Sequence, residues 1–405
     1  MTVINIDIPR IIPKTDIFDM IFMKLELFFD RKNLYANNNR IKILYHRALM
    51  NQANITQVRL LNDYDSNGIV LAWPSLYEDK PYWLGMLEVY YQLITDCLQN
   101  KKHIILVKKK NRSIEDDLKC IKRNIDSFIK EKNYFTLYEI DYDDIWLRDI
   151  GPIMLKIKPH EYNFNIMKFN GYGGKYTYNN DKIFSKTFIE KFALDNFNKK
   201  ASLEIFEDLV IEPGNMVYDN ELCMVNKLPL MEHNSMSWNQ INKILTNGFQ
   251  NILNKEFIVI DVGVLSGDDT DGHIDNLVRL DQQEFIYYMA TDDKSHPDYE
   301  LLNDLKKQIS SNDFGKRKII PINHNLTDIV KNNVNEILPF SYLNYIRIGE
   351  IIYMPIHECT NEQKKIEIRN IFKNSDVKFI LCNSLLYEKG GLHCFSMNIV
   401  KEQRI

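Results

Sequence analysis

From about Val58 onward, short β-rich runs alternate with longer stretches of helical periodicity, and no other feature limits the fold so strongly. The runs at 68–74 (GIVLAWP), 103–107 (HIILV), 151–157 (GPIMLKI), 256–263 (EFIVIDVG) and 348–356 (IGEIIYMPI) read as strands. Between them, 83–100, 113–131 and 297–312 carry apolar residues at helical spacing. Such alternation predicts an α/β class with a substantially buried sheet. Hydrophobic residues make up 45% of the chain, enough to fill a large core. No long linker or low-complexity run follows residue 60, so 58–405 is expected to form a single domain. Residues 1–57 differ in texture and read as an N-terminal extension of unknown role. Asp16 caps a helix predicted over 16–32, and Asn-rich 36–40 reads as a loop. No internal self-similarity is visible, so a repeat architecture does not follow from the residues alone.

Charge and cysteine usage narrow the function. A formal net charge of −4 gives no general attraction to nucleic acid or to an anionic membrane. The basic residues around 101–112 flank an apolar run and read as a solvated rim. The first residues lack the basic start and apolar run of a signal peptide, and no apolar stretch approaches the length of a membrane span. The expectation is a soluble cytoplasmic protein. Six cysteines without a C-x-x-C pair form neither a disulfide framework nor a zinc site. Cys97, Cys120, Cys223 and Cys382 are expected to be small buried apolar residues.

Three segments could carry chemistry. In 143–155, Trp146 and Asp149 precede Gly151-Pro152, which must turn or break a strand. A carboxylate at a strand end beside a flat indole suits a planar cation. Surface charges beside a buried tryptophan fit that segment equally well. In 265–280, Asp268, Asp269, Asp271 and Asp275 crowd His273. Like charges so close repel unless solvent, a metal or a cationic ligand relieves them. The spacing is not that of a calcium loop. His273 and Asp275 would share one face of a strand, a proton carrier beside an anion. A solvated acidic turn is the plainer alternative. Near the C-terminus, Gly390 and Gly391 precede His393-Cys394, where they permit a positive φ and close backbone approach. A nucleophilic thiol needs a neighbouring imidazole or bound cation. On an extended strand His393 would point away from Cys394, which favours His273 as the working histidine. Glu212, ahead of a Pro-Gly turn, carries little meaning alone, and 357-HEC-359 reads as structural.

Taken in order, W-x-R-D-x-G-P at 146–152, FNGYGGKY at 169–176, GDDTDGHIDN at 267–276 and GGLHC at 390–394 resemble the agmatine deiminases. That family stands with the bacterial peptidylarginine-deiminase-like proteins in the guanidino-group-modifying superfamily. The similarity runs from about residue 68 to Met397. It implies a pentein fold: a five-bladed, pseudo-symmetric α/β propeller of ββαβ units around a central site. Cys394 then corresponds to the nucleophile and His273 to the general acid and base. Asp149 and Asp275 correspond to the carboxylates that grip the guanidinium, and Trp146 to a pocket wall. Glu212 matches the glutamate of the family's E-G-G motif, although Pro213 follows it here. Asp269 is a candidate for holding a distal ammonium.

The resemblance implies hydrolysis of agmatine to N-carbamoylputrescine and ammonia through a covalent cysteine thiouronium, with no metal or organic cofactor. Deimination of free, modified or protein-bound arginine is the next reading. Amidino transfer and a catalytically silent guanidine-binding protein follow. The expected partner is a small-molecule guanidine, not nucleic acid or membrane, and the sequence leaves a homo-oligomer open.

Overall fold

Most predicted strands are apolar on both faces, which requires a sheet covered on both sides. The computed structural model describes residues 59–158, 161–196, 201–246 and 256–402. The N-terminal extension 1–57 with its expected helix lies outside the described residues.

One sheet unites the two ends of the described chain. Gly68–Ala72 leads through helix α1 (Trp83–Gln99) to the parallel strand His103–Lys108, and Phe135–Glu139 adds beyond it. On the other edge Ser396–Ile399 pairs antiparallel with Gly68–Ala72. Met86, Tyr90, Leu93 and Cys97 of α1 recur at helical spacing and are buried.

Four further sheets follow the same rule of an antiparallel pair, a helical crossover and a parallel strand. Ile153–Lys158 pairs with Glu161–Lys168, and Ala201–Val210 follows α2 (Asp181–Asn196). Val217–Tyr218 pairs with Leu222–Asn226, and Glu256–Ile260 follows α3 (Trp238–Ile244). Val278–Asp281 pairs with Phe285–Ala290, and Lys318–Asn323 follows α4 (Tyr299–Ser311). Ile346–Ile348 pairs with Ile351–Ile356, and Asp376–Leu381 follows α5 (Glu362–Ile371). A short ladder of Val330–Lys331 with Ile337–Leu338 stands apart.

Each strand reading at 68–74, 103–107, 151–157, 256–263 and 348–356 meets an observed strand, with shifted ends and, in the last, a turn at 349–350. The helix expected over 113–131 divides into Ile114–Cys120 and Asp126–Ile129. Ser113 caps the first piece, and Lys122, with a φ of 56°, turns the chain out of helical geometry. Cys97, Cys223 and Cys382 are buried as expected, whereas Cys120 is exposed. Among the described residues, no helix is long and apolar enough to cross a membrane.

Candidate active site

Each sheet sends a residue into one buried cluster from the segment just before its first strand. Asp149 precedes Ile153–Lys158, and Glu212 with Gly214 precedes Val217–Tyr218. His273 and Asp275 precede Val278–Asp281, Asn344 precedes Ile346–Ile348, and Cys394 precedes Ser396–Ile399. Residues separated by more than 240 positions thereby become neighbours.

Asp149 sits on a one-turn helix, Leu147–Ile150, and not at the end of a strand as expected. Tyr172 Oη donates to its Oδ2 at 2.8 Å and the Gly214 N–H to its Oδ1 at 3.1 Å. A Cβ on Gly214 would overlap Asp149 Oδ1 and crowd His273, so this close approach demands glycine. Pro213 opens the short helix Pro213–Asn215, where a missing N–H costs no intrahelical bond. The proline therefore leaves the glycine contact to Asp149 intact.

His273 and Asp275 do not share a strand face. His273 caps the short helix Ile274–Asn276, and that turn aims the two side chains at different partners. His273 Nδ1 lies 3.5 Å from Asp149 Oδ1, and its Nε2 lies 3.8 Å from Glu212 Oε2. Asp275 faces Cys394, whose Sγ is 3.8 Å from Oδ2, and His393, whose Nδ1 is 2.7 Å from the same oxygen.

Cys394 lies in the turn 392–395 ahead of its strand, which corrects the extended geometry expected there. Because the backbone turns, His393 also reaches the cluster and does not point away. Neither Gly390 nor Gly391 adopts a left-handed φ. They are required by crowding: a Cβ on Gly390 would enter the Trp146 ring, and one on Gly391 would meet the Asn344 amide. Asn344 Nδ2 donates to Cys394 Sγ at 3.1 Å, and its Oδ1 accepts from the His393 N–H at 2.8 Å.

Electrostatics sharpen the picture. Burial opposes protonation of His273, yet Asp149, Glu212 and Asp275 together lift it to about 10. Burial works against ionised Glu212 too, but His233 and His273 hold it down to about 2. Asp149 rises to about 6, chiefly through burial, with His273 opposing and Asp275 adding to the rise. Asp275 stays below the usual carboxylate range because His393 overcomes its burial. Burial, then Asp275 and Asp149, push the Cys394 thiol well above its ordinary value. Among the described residues, the ion-pair partners of Asp149, Asp275 and Glu212 are histidines, never lysine or arginine. Asp275 Oδ1 and Glu212 Oε2 are buried without a hydrogen-bond partner.

Trp146 is half-buried and lines a cavity of about 400 Å³ with Phe169, Tyr172 and Tyr176. Asp269 lies outside the buried cluster: Tyr176 Oη donates to it at 2.8 Å, and Lys175 Nζ donates to its backbone carbonyl at 3.2 Å. Among the described residues, no group of three or more His, Cys, Asp and Glu side chains is arranged to hold a metal.

The sequence reading missed Asn344, Tyr172 and His233, and it expected His393 to point away from Cys394. A lone asparagine or histidine outside a motif gives no signal. Tyr172 lay inside a quoted motif, but its partner Asp149 is remote in sequence.

The family model for Porphyromonas-type peptidyl-arginine deiminase matches residues 63–399. A Mycoplasma capricolum protein, provisionally named an agmatine deiminase, is 22% identical over 290 residues, covering 64% of this chain and 75% of its own length. A Vibrio parahaemolyticus protein with the same provisional name is 24% identical over 286 residues, 65% of this chain and 77% of its own. Among solved structures, the agmatine deiminase of C. jejuni superposes with a TM-score of 0.69 at 18% identity, covering 86% of this chain and 98% of that one. That of Enterococcus faecalis gives 0.67 at 16% identity, covering 85% and 96%. At these identities the structural likeness concerns the fold.

Proposed function

Because the chain belongs to the Porphyromonas-type peptidyl-arginine deiminase family, we propose that it is a hydrolase of guanidino C–N bonds with agmatine as its leading substrate. One observation carries the reading. Asp149 and Asp275 are buried carboxylates beside a thiol, and among the described residues neither is ion-paired with a lysine or arginine. A buried carboxylate without a cation is costly, and a guanidinium relieves that cost with paired hydrogen bonds. The five sheets are read as five blades around this site, which their shared strand order and equivalent contributions support.

The proposed chemistry draws on these contacts. A bound guanidinium neutralises Asp275 and Asp149, two of the three causes that hold Cys394 as a thiol. The thiol then releases its proton to solvent, and the thiolate attacks the guanidinium carbon, forming a C–S bond as the C–N π pair moves onto nitrogen. Protonated His273 gives its proton to the leaving nitrogen, the C–N bond breaks, and ammonia departs from a thiouronium. Neutral His273 takes a proton from water as the oxygen attacks. The C–S bond breaks, the hydroxyl proton passes to the departing thiolate as the ureido carbonyl forms, and the product leaves. Trp146 forms a wall beside this site, and Asp269 is placed to meet a distal ammonium.

The cavity beside Trp146 favours a second reading, deimination of a bulkier guanidine such as arginine in a peptide. Ammonia release from agmatine, arginine and an arginine-containing peptide, with Cys394→Ala as blank, separates the two. Turnover of agmatine alone supports the leading reading, and turnover of the peptide alone replaces it. No ammonia from any of the three would overturn the hydrolase reading and leave amidino transfer or silent binding.

A further inference from the structure

His233 lies outside every sequence motif yet occupies the back of the site. It follows the short helix Lys227–Glu232, where its N–H donates to the Pro229 carbonyl at 2.9 Å. Its own carbonyl accepts from Asn170 Nδ2 at 2.9 Å, so backbone bonds hold it on both sides. The side chain is fully buried. Nδ1 lies 2.9 Å from Glu212 Oε1, and Nε2 lies 2.9 Å from Asp271 Oδ2. The ring faces Tyr172, with centroids 6.1 Å apart. Asp271 passes the contact outward to Lys175 Nζ at 2.6 Å and holds a left-handed φ of 63°. For a residue other than glycine that conformation persists only where its surroundings enforce it.

Ionised carboxylates only accept, and each nitrogen of the His233 ring faces one carboxylate oxygen. Glu212 is therefore one carboxylate between two histidines: Oε1 serves His233, and Oε2 faces His273. We propose that His233 is a positioning residue of the deiminase site. It fixes the rotamer of Glu212 and shares its charge, limiting how strongly Glu212 holds the proton on His273. The chain Lys175–Asp271–His233–Glu212–His273 thus links the acid–base histidine to the protein surface.

The inference rests on the function proposed above, and its test keeps the two apart. The full-length protein and its His233→Ala, His233→Asn and His233→Arg variants are compared in two ways. One is the pH profile of ammonia release from whichever guanidine is turned over. The other is the NMR titration of the ¹⁵N-labelled His273 ring, assigned with His273→Gln, which needs no turnover. With His233→Ala, kcat is expected to fall about tenfold with KM little changed. The alkaline limb and the His273 midpoint should both move up by about one pH unit, because an uncompensated Glu212 retains the His273 proton. His233→Asn keeps a donor near Glu212 without charge and should show the same upward movement. His233→Arg restores a cation with several donors and should return the midpoint and most of kcat. A His273 midpoint unmoved in both Ala and Asn variants would overturn the proposal, as would equal losses in all three. If no guanidine is turned over, the functional reading fails while the NMR titration still decides the role of His233.

Discussion

Two clusters of buried charge meet at His393, and the chain treats them oppositely. On one side Asp63 pairs with Arg279 and Arg148, and Asp281 with Arg347 at 2.9 Å. The arginines are further seated on aromatic faces, Arg279 over Tyr345 at 4.3 Å and Arg347 over Tyr64 at 4.9 Å. On the other side, among the described residues, the ion-pair partners of Asp149 and Asp275 are histidines. His393 bridges the two, with Nδ1 on Asp275 and Nε2 3.3 Å from Asp63. Burial penalises both aspartates, but Arg148 and Arg279 win at Asp63 and hold it far below the usual range. Among the described residues Asp149 has no arginine or lysine as an ion-pair partner, and burial raises the carboxyl to about 6 against the pull of His273. The first cluster shows how this protein binds guanidinium groups it supplies itself. On the proposed function, the second presents similar carboxylates for one it does not supply.

The contrast is broken or sharpened by experiment. The largest effect should come from Cys394→Ala, which leaves both clusters charged but removes the attacking atom. Ammonia release should fall by at least about 10³-fold, while guanidine binding persists by calorimetry. Asp275→Asn should lower kcat/KM by about 10²-fold, since one partner of a buried charge contact is lost. The matching change in the other cluster, Asp63→Asn, should act on stability instead. Denaturant titration should show a loss of about 2 kcal/mol, because Arg279 is left buried beside a neutral group. Equal effects of the two Asn variants on activity and on stability would dissolve the distinction. Asp149→Asn should abolish turnover yet raise the thermal midpoint, as it removes a carboxylate that burial disfavours.

The smallest effects appear in stability against pH, and their signs differ between the clusters. Asp63 is depressed in the folded state, so its contribution is present above 3.8 and lost as pH falls below it. His273 is raised from 6.5 to about 10, so its contribution is full below 6.5 and lost as pH rises through 10. Thermal melts across pH should therefore show an acid slope that flattens in Asp63→Asn and an alkaline slope that flattens in His273→Gln. Exchange of those two assignments would refute the comparison.

Much of this was legible in one dimension. Strands at 68–74 and 348–356 announce themselves because burial on both faces demands unbroken apolar runs. Trp146, Asp149, His273, Asp275 and Cys394 sit in motifs whose order along the chain carries the family resemblance. Local geometry was less legible. An extended backbone seemed the natural setting for His273, Asp275 and His393, yet short turns carry all three, because each precedes a strand where the chain must change direction. Gly390 and Gly391 stood out for the wrong reason. Their φ angles are ordinary, and only the packed neighbours Trp146 and Asn344 explain them.

The sequence by itself determined the alternation of strand and helix, the class of fold and the inventory of reactive side chains. These depend on periodicity and residue chemistry, which are local. Tertiary structure decided which groups meet: Asn344 with Cys394, His393 with Asp275, His233 with Glu212. Such pairings join separate sheets, and their energies depend on burial and on distances between residues far apart in the chain. No periodicity records them, because a hydrogen bond between two turns leaves no mark on the sequence around either one.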